Sequence, residues 1–197
     1  ITGPYLVGAG GGGSDAVVAT PEDARRIVKY WSEEGVDWFK VYNTIASAEL
    51  EAVVAEAHKH GRKVTGHLCS ITYREAVAIG IDNVEHGIFA NSDYSKTKVK
   101  DECPSDYRRA MIDLDMSGEA VQTTFREMIA AGVGMTSTLA IYEHVVPNRP
   151  PIEQRVLDAM SPDVQKEYLQ RRTQIADGNS QFWKDLWVKA LEYEKAF

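Results

Sequence analysis

The chain has 197 residues, of which 44% are hydrophobic. This is enough for one sizeable core and argues against a second full domain. The formal net charge of −7 and the lack of a basic run argue against a nucleic-acid surface. No apolar stretch approaches the ~18 residues that span a bilayer, and no signal peptide is apparent. We therefore expect neither nucleic acid nor membrane as a partner, and localisation stays open, with the cytoplasm slightly favoured.

The first predicted helix has a clear start signal. Thr20 suits the N-cap, Pro21 suits the first helical position, and acidic residues follow in the first turn. Gly35 ends this helix, and Val36–Tyr42 reads as a strand with period-two alternation. A second amphipathic helix is predicted over Ser47–His60.

The same alternation of strand and helix continues along the chain. Further strands are predicted at Lys63–His67, Asn83–His86 and Val133–Leu139, with a short one at Tyr5–Val7, and further helices at Tyr73–Ile79 and Glu119–Ala131. Such alternation favours parallel βαβ units. The sequence predicts an α/β fold: either part of a (β/α)8 TIM-type barrel or an open doubly wound sheet.

Two segments interrupt this pattern, near residues 91–116 and 143–178. Each begins after a predicted strand end, where barrel enzymes carry substrate loops, although a solvated insertion is the simpler interpretation. The glycine run Gly8–Gly13 lacks the ending of a phosphate-binding loop, and we interpret it as a flexible loop.

The two cysteines are too few for a disulfide framework. Cys69 lies two residues after His67 and could form a metal pair with it. A small buried thiol is the preferred interpretation.

Three side chains stand at or near the ends of successive predicted strands: Lys40, His67 and His86. In a parallel barrel the carboxyl ends of neighbouring strands converge on one mouth. Alone, Lys40 could extend to solvent, and either histidine could be an ordinary core residue. Together, two imidazoles and a lysine suggest a metal site, and this favours the partial barrel.

The segments that carry these residues resemble a known family. The segments GVDWFKVY, VTGHL, GIDNVEHG and GVGMTSTLAIYE resemble the amidohydrolase superfamily, in particular the imidazolonepropionase-like hydrolases and metal-dependent Xaa-Pro dipeptidases, or prolidases. The resemblance implies a (β/α)8 barrel with one or two divalent metal ions, zinc being the first choice. Carboxylated Lys40 would bridge the metals, and His67 and His86 would bind one of them. The implied reaction is cleavage of an amide or peptide bond by metal-activated water, with a small molecule or dipeptide as substrate.

The chain also departs from that family. The family's HxH pair has no match, because His58-Lys59-His60 falls in a predicted helix, and its strand-eight aspartate is missing. The chain begins without methionine at Ile1 and stops in a helical run at Phe197. We therefore expect residues 1–197 to form one partial barrel domain, strands three to seven of a longer protein, and we identify no catalytic acid or base within it.

Two tyrosines near strand ends, Tyr42 and Tyr142, are candidate substrate contacts, with core packing as an equal alternative. Two other functions remain open. Lys40 could form a Schiff base in a lyase. The chain could also be an inactive fragment or interaction module that associates through unpaired strand edges, including as a homo-oligomer. The expected ligands also admit manganese, iron or cobalt in place of zinc.

Overall fold

The computed structural model describes residues 2–9 and 16–197 and contains one six-stranded sheet. The strands are β1 (Thr2–Val7), β2 (Ala16–Val17), β3 (Trp38–Val41), β4 (Lys63–Gly66), β5 (Asn83–Glu85) and β6 (Gly134–Thr136). The α-helices are α1 (Pro21–Glu33), α2 (Ser47–Lys59), α3 (Tyr73–Ile79), α4 (Glu119–Ala131), α5 (Leu139–Tyr142), α6 (Gln154–Asp158), α7 (Pro162–Gly178) and α8 (Gln181–Ala196). Short 3-10 helices occur at Gly87–Ala90, Arg109–Met111 and Glu143–Val145.

All the strand pairings in this sheet are parallel, in the order β2-β1-β3-β4-β5-β6. Strands β3 to β6 are neighbours in chain order, and helices α2, α3 and α4 lie between them in the sequence. This is the repeated βαβ arrangement that the alternating pattern predicts. The predicted α/β class is therefore confirmed, and the carboxyl ends of four consecutive strands lie along one edge.

Local signals in the sequence define the helix ends. The Thr20 hydroxyl accepts a hydrogen bond from the Asp23 backbone N–H at 3.1 Å, which caps α1. Thr72 and Glu75 form a reciprocal capping box at the start of α3. Gly80 and Gly132 adopt left-handed conformations after α3 and α4, so glycine at these positions stops each helix without strain.

One face of the sheet packs against the helices. Phe39 and Val41 are fully buried on this face of β3, whereas Lys40 between them lies on the other face. The helices contribute the same kind of side chain, including Leu50 and Val53 of α2, which are also fully buried. The alternating apolar residues of the strand and the apolar face of the helix thus pack together in one core.

A second apolar cluster lies beyond β5. It comprises Ile88, Phe89, Met111, Val121, Phe125, Leu186, Ala190 and Tyr193. The cluster joins the 3-10 turn after β5 to α4, α8 and the segment near 91–116. That segment is therefore not a solvated loop throughout, because Met111 is fully buried.

Several sequence expectations need correction. Strand β2 was not expected, since two residues carry too little pattern. The other strands except β1 are shorter than predicted, and β6 gives way to α5 at Leu139. Much of the segment near 143–178 is helical, in α6 and α7.

The glycine run is only partly described, since Gly10–Gly13 lie outside the described residues. At Gly8 a Cβ atom would lie 2.0 Å from the Thr44 carbonyl oxygen, so glycine is required there for close packing. Among the helices of the described residues, none is long and apolar enough to cross a bilayer.

Candidate metal and substrate site

The strand register sets the relative depth of the three predicted ligands. Lys40 pairs with Thr65, and Val41 pairs with Gly66. His67 follows Gly66 directly, and its backbone N–H donates to the Val41 carbonyl at 3.1 Å. Lys40 therefore lies two residues, about 7 Å, deeper in the sheet than His67. A long side chain at this depth can still reach toward the histidine level.

His67 and His86 are in direct ring contact. Their ring centroids lie 4.6 Å apart, with the planes at 70°. Burial lowers the pKa of His67 to about 4, assisted by the nearby charges of His86, Lys40 and Arg108. Burial, and then the charge of Lys40, also lowers the pKa of His86. Near neutral pH both imidazoles are therefore uncharged, which is the form that binds metals.

An unusual backbone conformation produces this contact. By strict alternation His86 would share the face of Val84, which is fully buried in the main core. Instead His86 has φ of 70°, in the left-handed region. Non-glycine residues rarely adopt this conformation. This conformation turns the imidazole away from the face of Val84 and places it against His67.

Three neighbours hold His86 in this conformation. The fully buried Tyr73 hydroxyl contacts the carbonyl oxygens on either side of His86, Glu85 at 2.7 Å and Gly87 at 2.6 Å. The His86 backbone N–H donates to the Thr136 carbonyl at 2.8 Å. Its Nδ1 atom lies 2.8 Å from the Thr138 hydroxyl. With Nδ1 engaged, Nε2 is the nitrogen left for ligation.

Lys40 forms an ion pair that the sequence did not predict. Its Nζ atom lies 3.1 Å from a Glu85 carboxylate oxygen, and the two side chains are 19% and 14% exposed. The Thr65 hydroxyl donates to the other Glu85 oxygen at 2.8 Å, and the Asn83 amide donates to Thr65 at 2.8 Å. The sequence does not indicate this role of Glu85, because its partner Lys40 lies on another strand, 45 positions away.

The geometry leaves the predicted ligand set incomplete. Within residues 2–9 and 16–197, no group of three or more His, Cys, Asp and Glu side chains is placed to hold a metal ion. The two neutral imidazoles suit a divalent metal, but Lys40 as an ammonium cannot bind one. Carboxylation of Lys40 would supply an oxygen donor and would require separation from Glu85. If Lys40 is carboxylated and separated from Glu85, its oxygen and the His67 and His86 imidazoles fit a divalent metal.

The two predicted substrate contacts lie on opposite sides of the histidine pair. The Tyr42 ring lies 4.7 Å from that of His67, and the Tyr142 ring lies 6.4 Å from that of His86. Tyr142 also stacks on Phe89 at 3.6 Å, and burial is the main cause of its raised pKa. Both tyrosines are half-buried beside the histidines, and a role in substrate binding stays a prediction.

The interpretation of Cys69 as a buried free thiol is wrong, because Cys69 is bonded to Cys103. The disulfide links the loop after β4 to the segment near 91–116. Sequence reasoning missed it because a cysteine count does not give pairing across 34 positions. Disulfides persist mainly in oxidising compartments, so this bond argues against the slight preference for the cytoplasm.

Comparison with known proteins supports the fold. No protein-family model matches the chain, and no curated protein matches it significantly. The solved structure of bottromycin amidohydrolase matches 100% of this chain with a TM-score of 0.69 and 18% identity. The chain therefore shares the fold of the matched part of that structure. The likeness concerns the fold alone, and the chain spans 43% of that protein.

Two other solved structures are less similar. A protein described as an amidohydrolase gives a TM-score of 0.49 at 18% identity, covering 93% of this chain and 36% of its own. A Xaa-Pro dipeptidase with bound methionine gives 0.42 at 19% identity, covering 90% and 41%. Both TM-scores are below 0.5, so neither structure adds to the fold comparison.

Proposed function

We propose that this chain is part of a metal-dependent hydrolase that cleaves an amide or peptide bond, with a dipeptide-like substrate. The observation that carries the proposal is the contact between the His67 and His86 rings, 4.6 Å apart at the ends of adjacent parallel strands. The fold shared with bottromycin amidohydrolase supports it. In this proposal the six strands form part of a (β/α)8 barrel, and residues 1–197 form one partial barrel domain.

The metal would be held by His67, His86 and carboxylated Lys40, with zinc as the first choice. When bound, a divalent metal supplies a Lewis acid that makes water more acidic and polarises a carbonyl group. Thr138 fixes the His86 ring through Nδ1, and Tyr73 fixes its backbone. The HxH pair and the aspartate that the family resemblance requires would come from outside this span.

Glu85 should couple the carboxylation of Lys40 to metal binding. In the structure it neutralises the Lys40 ammonium inside a half-buried site. Carboxylation converts Lys40 to an anion, and two anions at this distance repel each other unless cations lie between them. Lys40 carboxylation and metal binding should therefore occur together.

A Schiff-base lyase is the second candidate, and Lys40 would be its nucleophile. Both chemistries need Lys40 as a neutral amine, so the Glu85 ion pair does not separate them. The His67–His86 contact favours the hydrolase over the lyase, because a Schiff-base mechanism gives no reason to place two uncharged imidazoles in contact. Borohydride trapping of a carbonyl compound on Lys40 in the absence of metal would support the lyase.

The proposed function is tested in the longer protein that this proposal requires, with the HxH pair and the aspartate present. That protein is incubated with zinc and bicarbonate, and amine release from a panel of dipeptides is measured. We expect release that a chelator abolishes and that His67→Ala removes. His58→Ala is the matched control, since His58 lies on α2 and contacts Asp82 instead of the site. Failure of that zinc-loaded protein to release amine would contradict the proposed function and favour the inactive fragment or interaction module.

A further inference from the structure

The segment near 91–116 is fastened beside the histidine pair at two points. The disulfide holds Cys103 to Cys69, two residues from His67. The Asp101 carboxylate accepts a hydrogen bond from the Ser47 backbone N–H at 2.7 Å and another from its hydroxyl. These links fix the segment to the carboxyl ends of β3 and β4, where the candidate site lies.

Beyond these links, Tyr107 and Arg108 belong to the surroundings of the site. Tyr107 and Tyr142 both pack against the second apolar cluster, which includes Ile88 and Phe89 just after His86. The guanidinium carbon of Arg108 lies 5.0 Å from the centre of the Tyr107 ring. Arg108 is thereby placed on the side of the site where Tyr142 approaches His86.

Arg108 is half-buried yet incompletely satisfied. Its Nε atom is buried and has no hydrogen-bond partner among the described residues. In the part of the chain that the structure describes, no ion pair involves Arg108, whereas Arg74 pairs with Glu127 and Arg149 with Glu143. A half-buried guanidinium without a counter-ion has a desolvation cost that an anion would offset.

The electrostatic effect of Arg108 reaches the surrounding groups. Its charge is one of the causes that lower the pKa of His67. It also lowers the pKa of Tyr107 and of Tyr142 against the raising effect of burial, both as a charge and as a hydrogen-bond donor. The positive potential of Arg108 therefore extends over the space between His67 and Tyr142.

We propose that Arg108 is a specificity-determining residue that binds a carboxylate group of the substrate beside the His67–His86 pair. This inference rests on the proposed function. A guanidinium binds carboxylate through paired N–H donors, a geometry that lysine does not reproduce. Tyr107 backs the guanidinium on one side, and Tyr142 lies beside it. The substrate class is an amide that carries a free carboxylate near the scissile bond.

The test is binding of N-acetylglycine to the metal-free 197-residue chain, with neutral N-acetylglycinamide as the matched ligand. Binding is followed in nitrogen-15 NMR by the backbone amide resonances of the residues around the His67–His86 pair, which every Arg108 variant retains. We expect saturable binding of N-acetylglycine, at least about tenfold weaker binding of the neutral amide, and about tenfold loss in Arg108→Gln. Arg108→Lys should recover only part of the affinity.

Arg109→Gln is the control, since Arg109 is exposed and packs over Phe182 instead. It should bind N-acetylglycine like the unaltered chain, and backbone spectra of both variants establish that each is folded. Equal binding of the two ligands, an unchanged affinity in Arg108→Gln, or no saturable binding at all would overturn the proposal. Because this binding needs no metal, carboxylate selectivity without hydrolysis would leave the subsite standing while the proposed function failed.

Discussion

His67 and Tyr73 act on opposite sides of one residue, His86. His67 contacts the His86 imidazole with ring centroids 4.6 Å apart, while the Tyr73 hydroxyl bridges the carbonyls before and after His86. The first contact belongs to the candidate site and the second to the core beneath it. The placement of the predicted ligand therefore depends on a buried tyrosine from α3.

Tyr73→Phe should remove the hydrogen bond that fixes the His86 backbone while keeping an aromatic ring in the core. The substitution removes the hydroxyl, whose single proton is shared between the Glu85 and Gly87 carbonyl oxygens, so this buried donor is lost and the free energy of unfolding should fall by about 1–2 kcal/mol. Urea unfolding measures this, with the exposed Tyr30→Phe as a control that should change stability little. An unchanged stability, with an unchanged His86 ring resonance, would contradict the positioning role.

Acid should destabilise the protein through the histidine pair. The folded pKa of His67 is about 4 against an ordinary value of 6.5, so the unfolded state binds the proton more readily. The stabilisation is present above the unfolded pKa and is lost as the pH falls through the window from 6.5 to about 4. Between about pH 7 and about pH 5.5, His67 alone should account for a loss of about 1 kcal/mol.

The measurement for this pH effect is urea unfolding at the two pH values in the unaltered chain and in His67→Gln. The lowered pKa of His86 acts in the same direction, so the unaltered chain should lose more than His67 alone explains. His67→Gln should show a shallower loss. Equal slopes in both proteins would mean that His67 titrates normally in the folded state.

The Lys40–Glu85 pair should contribute more to stability than the exposed ion pairs. Glu85→Gln leaves a half-buried ammonium with a weaker partner, and we expect a loss of about 1–2 kcal/mol. Glu22→Gln is the control, because it breaks the exposed pair with Arg25 and should cost less than about 0.5 kcal/mol. Equal effects from the two substitutions would show that the Lys40 pair is solvent-screened.

The disulfide should be detectable chemically and thermodynamically. Unfolded, unreduced protein should contain no reactive thiol, because both cysteines are bonded. With a sequence separation of 34, reduction should lower the free energy of unfolding by about 3–4 kcal/mol. Thiol titration and urea unfolding with and without reductant test this. Two free thiols in the air-oxidised protein would contradict the bond.

Much of the fold could be predicted because its signals are local. The bounds of α3 and α4 match the prediction, because the capping box at Thr72 and the glycine at Gly132 are readable from a few residues. Strand β2 was missed because its pattern is too short. The strand ends were overestimated because an apolar pattern continues where pairing has stopped.

The strand-end positions allow the closeness of His67 and His86 to be predicted, whereas their metal-binding role stays a prediction. Lys40, His67 and His86 share a strand-end pattern, whereas Glu85 acts through a contact with a lysine on another strand. Arg108 lies in a segment with no regular period, so its placement depends on a disulfide and on distant packing. No pattern within a short window carries such information.

The metal content of the dialysed chain tests the central claim most directly. It is measured by inductively coupled plasma mass spectrometry after incubation with zinc and bicarbonate, beside Lys40→Ala and the control His58→Ala. The account predicts near-stoichiometric zinc in the unaltered chain and in the control, with loss in Lys40→Ala. Absence of zinc from the unaltered chain, or full retention in Lys40→Ala, would contradict a metal site built from Lys40, His67 and His86.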